Sequence, residues 1–279
     1  MMNYLKLVDF ELKRFINIYF VLIGLTIASQ ITGVIVVSKR YVGEANQAIY
    51  GNAMPMAEYV ETYGAMDMFQ ITQTVWFVVP IGLSAAALIF YCFLIWYRDW
   101  FGKNTFIYRL LMLPTARINV FLAKASAIFL MVLGLVGIQL ILLPIEQMVM
   151  QWMVPLELRT DLTLSQIVSG SPGGFLQLLL PKNFIQFLLN YGIGFMMVFH
   201  LFTAILFERS FRFKGIVFGV LYYILINILF VLPILIELFF TRGYFYLGEL
   251  FVIEIILGLM VTVLSIGMSH YLLNRKINV

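Results

Sequence analysis

The sequence predicts an all-α, polytopic membrane protein. Its expected parts are six transmembrane helices, an N-terminal amphipathic helix in the membrane interface and a short helix in the longest inner loop. Three observations predict this. Six apolar runs, near 17–38, 75–97, 118–147, 184–207, 215–240 and 246–273, each supply the roughly 20 helical residues needed to cross a hydrocarbon core. The composition, 62% hydrophobic and 11% charged, lies far outside that of soluble domains. Finally, thirteen of the eighteen Lys and Arg fall on the side that six crossings assign to both termini.

Each element has its own signature, beginning at the N-terminus. Over residues 3–16, Leu5, Val8, Leu12, Phe15 and Ile16 recur at helical spacing, and Lys6, Asp9, Lys13 and Arg14 take the rest. That pattern predicts an interfacial helix separate from the first span, its cations among the headgroups. The first span ends at Ser38-Lys39-Arg40 and reads as a retained helix, not a cleaved signal. Residues 41–74 form a long outer connector with a turn at Asn52 and Pro55 and a short helix over 56–68. The second span carries Pro80 one turn from its outer end and is bracketed by Trp76, Trp96 and Trp100. A second long outer segment, 148–183, holds Pro155, Pro172 and Pro181, with apolar patches over 162–168 and 175–180 that suit the outer leaflet. The fourth and fifth spans are joined by a charged hinge, 208–214, and the fifth and sixth by a tight turn at 241–244. The whole chain, 1–279, reads as one transmembrane domain.

The positive-inside bias makes the termini cytoplasmic. The expected location is therefore a plasma membrane, bacterial in origin, with multiple passes. The net charge of +4 says little about nucleic acid, because the basic residues line the inner face, where anionic lipid or an acidic partner meets them. The single Cys92 lies within the second apolar run and can form no internal disulfide.

The inner connector, 98–117, is the most informative stretch. A loop of its size facing water is normally polar. This one interleaves Trp100, Phe101, Phe106, Ile107, Tyr108 and Leu110 to Leu113 with Arg98, Lys103, Arg109 and Arg117, before Pro114 interrupts the helix. An exposed apolar and aromatic helix at a membrane face implies either a partner surface or a rest on lipid.

Within this connector, Gly102-Lys103-Asn104-Thr105, then Leu110-Leu111-Met112-Leu113-Pro114-Thr115-Ala116-Arg117 and then Lys124 resemble the inner loop of the ABC-2 family of ATP-binding-cassette transporter permeases. That family shows a Gly/Thr turn, a leucine-rich LLxLP segment, a basic residue and a Lys that opens the third helix. Where the family often has Glu before the Gly, the nearest acid here is Asp99, preceded by Arg98. The resemblance implies a coupling helix that seats in an ATPase subunit, with Phe101, Phe106, Tyr108, Arg109 and Leu111 as its contact face. It also implies a second permease half, as homo- or heterodimer; the outer segments 41–74 and 148–183, which mix aromatics, Met and acids, suit efflux of an amphipathic compound or peptide. The alternatives are an accessory or sensory subunit of a cell-envelope ABC complex, or a lipid-handling permease.

The chain itself is not expected to be an enzyme. It has no GxxxxGK[ST], so ATP and magnesium belong to a partner chain, and it has no HExxH, EExxxR or GxSxG. No cofactor and no metal are expected in this chain. Polar residues within the spans are the candidates for a substrate path: His200, Asn227 and Glu254. The competing reading of His200 and Asn227 is helix-to-helix hydrogen bonding. Glu146, Glu237 and Glu249 sit with Glu254 near outer helix ends, where solvated carboxylates are tolerated. Gly215 and Gly219 form a GxxxG that permits close helix packing, within the chain or in a dimer.

The charge split makes a prediction about topology. Cysteines placed at Gly51 and Gly173 are expected to react with an impermeant thiol reagent on intact cells, and one at Lys103 is not. Labelling of Lys103 alone among the three contradicts the arrangement.

Overall fold

A computed structural model describes residues 2–101, 106–169, 175–241 and 245–277. The helices are α1 (Met2–Asn46), α2 (Met56–Tyr63), α3 (Met68–Thr72), α4 (Val75–Phe101), α5 (Phe106–Leu111), α6 (Ile118–Met153), α7 (Leu164–Ser169), α8 (Phe175–Leu179), α9 (Phe184–Phe211), α10 (Phe213–Ile236) and α11 (Leu247–Arg275). Six of them, α1, α4, α6, α9, α10 and α11, are long and apolar enough to cross a membrane. Each predicted span falls on one of these six helices. The observed helices generally run a few residues further, because a helix continues past the hydrocarbon edge until something stops it. Pro80, Pro144 and Pro233 lie inside α4, α6 and α10.

One expected element differs. Residues 3–16 are not set apart as a separate interfacial helix, since α1 runs unbroken over 45 residues, about 67 Å at 1.5 Å per residue. The side that packs carries Leu7, Glu11 and Phe15, spaced at i, i+4 and i+8, with Val8 beside Leu7, while Leu5 is 64% exposed. The buried stripe is thus rotated from the one hydropathy alone picks out, and a carboxylate lies in its middle.

The chain divides into two compact units, 1–14 with 89–129 and 191–279, and 15–88 with 130–190. The second unit gathers the two long connectors and the adjoining halves of the spans. Residues 56–72 form two helices where the sequence suggested one. Gly64 turns the chain between them at φ +82°, a left-handed conformation that favours glycine. Asp67 then caps α3 by accepting from the Gln70 amide at 2.9 Å. The two connectors are stitched at the fully buried Met66: its amide donates to the Leu158 carbonyl (3.0 Å) and its carbonyl accepts from the Thr160 amide (2.8 Å). Arg159 Nη1 donates to the Gln151 and Val154 carbonyls (2.8 and 2.6 Å), satisfying the end of α6. Inside this unit Gln30 and Gln139 exchange amide hydrogen bonds (3.2 and 3.3 Å), pinning α1 to α6.

In the first unit the core is aromatic. Trp96 meets Phe202 edge-on, and Phe121 stacks on Phe199. The Gly215/Gly219 pair lies against α9 of the same chain. A Cβ at Gly215 would collide with the Phe207 carbonyl oxygen, and one at Gly219 would fall 2.6 Å from that of Ala204. Close packing of the α9–α10 hairpin is therefore the use the fold makes of this motif. Gly219→Ala is expected to lower thermal stability in detergent by about 1–3 kcal/mol through overpacking. Gly82→Ala, where a Cβ meets nothing within 4 Å, is expected to be neutral or mildly stabilising. Equal melting of both variants contradicts the packing.

Candidate functional site

The charges that hydropathy places at the terminal end of the bundle are drawn together around Lys124. This residue lies in the second turn of α6 and is fully buried. Its ammonium donates to Glu11 Oε1 (2.7 Å), Asp99 Oδ2 (2.5 Å) and the Ile95 carbonyl (2.9 Å), so all three of its protons are used. Glu11 comes from α1 and Asp99 from the last turn of α4, so one ammonium joins three helices. The remaining carboxylate oxygens are also taken. Arg14 Nη1 donates to Asp99 Oδ1 at 2.7 Å, and Arg98 Nη2 reaches Glu11 Oε2 at 3.3 Å. Tyr91 bridges the cluster, accepting from Arg98 (3.3 Å) and donating to the Glu11 carbonyl (3.4 Å). Three cations face two carboxylates. Such a group tolerates burial because every carboxylate oxygen and every ammonium proton in it has a partner, and removing one partner strands the others.

The cluster reaches the inner connector through Arg14. Its guanidinium lies over the rings of Phe10 (5.1 Å) and Phe106 (5.3 Å), which stack on each other at 5.7 Å. The start of α5 is thereby fastened to α1. Ile107, Leu110 and Leu111 turn inward and are buried, whereas Phe101, Met112 and Leu113 are 72%, 71% and 40% exposed. Arg109 is exposed and Tyr108 half-buried, edge-on to Trp100. A groove of about 370 Å³ lies beside the stacked rings, lined by Lys6, Leu7, Phe10, Phe106, Leu110 and Leu113. Arg209 covers the rings of Tyr97, Trp100 and Phe101 at 4.6–5.7 Å, and the Tyr97 hydroxyl donates to Glu208. Arg117 closes the segment by donating to the Leu273 and Ile277 carbonyls (2.7 and 3.0 Å) at the end of α11. The turn Gly102-Lys103-Asn104-Thr105 lies outside the described residues.

The five residues expected as a contact face thus separate. Phe101 and Arg109 are on the surface and Tyr108 is partly so. Phe106 is occupied by Phe10 and Arg14, and Leu111 faces the interior. The candidates for a substrate path separate as well. His200 is fully buried on α9, and both its ring nitrogens lack a hydrogen-bond partner. The Asn227 amide is spent on the Tyr223 carbonyl of its own helix (2.7 Å). Glu254 is half-buried with both oxygens unpartnered. No hydrogen bond joins the three. One turn beyond His200, Thr203 bonds to Ser269 (2.8 Å), and Tyr222 bonds to Ser265 (2.6 Å), forming a hydroxyl group across α9, α10 and α11. In the other unit, Glu146 is fully buried with both oxygens unpartnered. Among the described residues, no group of three or more His, Cys, Asp or Glu is placed to hold a metal ion.

The charge cluster was missed by sequence reading. Asp99 and Lys124 stood out, but their partners lie 25 to 113 residues away along the chain. The available signal was Glu11, which falls between Leu7 and Phe15 in helical register.

No protein-family model, no curated protein and no solved structure matches this chain.

The cluster predicts a steep difference between two lysines. Lys124→Met leaves Glu11 and Asp99 buried without their shared cation and is expected to cost about 3–5 kcal/mol of stability. Lys13→Met breaks only an exposed pair with Asp9 and is expected to cost under about 1 kcal/mol. Thermal unfolding of both purified variants checks this.

Proposed function

We propose that this chain is the transmembrane half of an ATP-driven exporter of the ABC-2 type. It would work in a bacterial plasma membrane with a second permease half and a separate ATPase that binds ATP and magnesium. The observation that carries the reading is the connector 98–117. It presents Phe101, Arg109, Met112 and Leu113 outward while its inner side is tied to the buried charge cluster. An apolar surface flanked by a cation, mounted on a fastened element, has the properties of a protein-binding site.

The same fastening supports a transmission role. A partner that moves α5 pulls on Phe106, hence on Arg14 and Phe10 of α1. Arg14 holds Asp99 at the end of α4, and Asp99 holds Lys124 at the start of α6. Motion at the membrane face is thereby delivered to three spans together. The cargo we favour is an amphipathic compound or peptide moved outward. The support is the aromatic and Met-rich character of the spans and outer connectors, which offers an adaptable apolar path.

Affinity purification of the tagged chain from its native membranes is expected to bring down an ATP-binding-cassette ATPase. Arg109→Glu with Met112→Glu is expected to reduce that capture by at least about thirtyfold, the loss of a ~2 kcal/mol hot spot, with expression and melting unchanged. Undiminished capture overturns the docking face. Phe106→Ala is the wrong test, because its stacking on Phe10 makes it part of the fold.

A further inference from the structure

We infer that the α9–α10 turn and the end of α11 form a binding site for the headgroup of an anionic phospholipid. This goes beyond the transport reading and does not depend on it. The turn holds Arg212 and Lys214, both exposed, and α11 ends in Arg275 and Lys276, also exposed. The end of α11 meets the turn through Lys276, whose ammonium lies 5.6 Å from the ring of Phe211, the residue before Arg212. Arg117 anchors the same end of α11 through the Leu273 and Ile277 carbonyls.

Among the described residues, none of these four cations enters an ion pair. No Asp or Glu occurs between Arg209 and Ile236, or after Glu254. Glu208, one turn before Arg212, is held by Tyr97 and Arg209. The fold therefore concentrates like charge at one corner and leaves it uncompensated, and an anion placed there relieves the repulsion.

The surroundings select a lipid over a soluble anion or an acidic protein. α9 and α10 are about 42 and 36 Å long, so their common turn falls at headgroup depth when both cross a ~30 Å core. Phe213, beside Arg212, is 87% exposed, as an interfacial aromatic anchor would be. From there Ile216, Val217, Val220, Leu221 and Ile224 lie exposed along α10, in the place acyl chains attached to such a headgroup would occupy. Arg212 holds the turn itself, at φ +54°, with its carbonyl accepting from the Gly215 amide at 2.9 Å.

The test uses the intact purified protein, with any partner that stays bound, in neutral detergent. Phosphatidylglycerol and phosphatidylcholine with matched chains are added in equal amounts, and bound lipid is counted by native mass spectrometry. The wild type is expected to retain phosphatidylglycerol by at least about tenfold over phosphatidylcholine, at about fivefold per cation engaged. Arg212→Gln, Lys214→Gln, Arg275→Gln and Lys276→Gln together are expected to bring the two lipids to parity. Should that variant fail to fold, Lys214→Gln with Arg275→Gln is expected to cut the preference severalfold. A preference unchanged in either folded variant overturns the proposal. Displacement of the lipid by millimolar inorganic phosphate would make this a free-anion site and also overturn it. So would loss of a co-purifying protein with lipid preference intact, which would make the patch a protein contact.

Discussion

A buried ammonium has to be neutralised where it stands, and Lys124 is the residue on which the terminal half of this fold depends. Its three protons need three acceptors, and these come from Glu11 on α1 and from Asp99 and the Ile95 carbonyl on α4. Neither carboxylate survives burial without its cation, and the cation does not survive without both. The requirement therefore sets the positions of three helix ends at once. It also accounts for residues 3–16. Glu11 reaches Lys124 from within the continuous helix Met2–Asn46, so this segment packs as the start of α1.

From that cluster a chain of contacts leads outward. Asp99 spends its second oxygen on Arg14, Arg14 covers Phe10 and Phe106, and Phe106 places α5. The surface left over, Phe101, Arg109, Met112 and Leu113, is the one proposed to meet an ATPase. In the same unit, α10 and α11 are the least buried of the six long apolar helices, with 11% of each apolar window covered. Their exposed faces suit lipid or a second permease half. The GxxxG on α10 is not available for that half, because the backbone of α9 occupies it.

The spans were legible in the sequence because crossing a membrane is a property of about twenty consecutive residues, each contributing independently. The connector stood out for a related reason: aromatic residues in a loop contradict the local expectation. Partner choice is a different kind of quantity. Glu11 is one of several charges on the N-terminal segment, and only the fold pairs it with Lys124, 113 residues away. Leu111 looked like part of a contact face, yet a helix as short as α5 buries one side completely, and Leu111 lies on that side with Ile107 and Leu110. His200, Asn227 and Glu254 were chosen for depth in the membrane. Depth says nothing about which helix face they share, and the fold does not bring them together by hydrogen bonds.

Asp99 and Lys124 act as one unit if the buried ammonium governs these helix ends. A double-mutant cycle with Asp99→Asn and Lys124→Met, read as thermal stability in detergent, tests this most directly. The double variant is expected to be more stable than the two single losses added together, with a coupling energy above about 1 kcal/mol. Strictly additive losses would mean that the two residues act independently and would contradict the role given to Lys124.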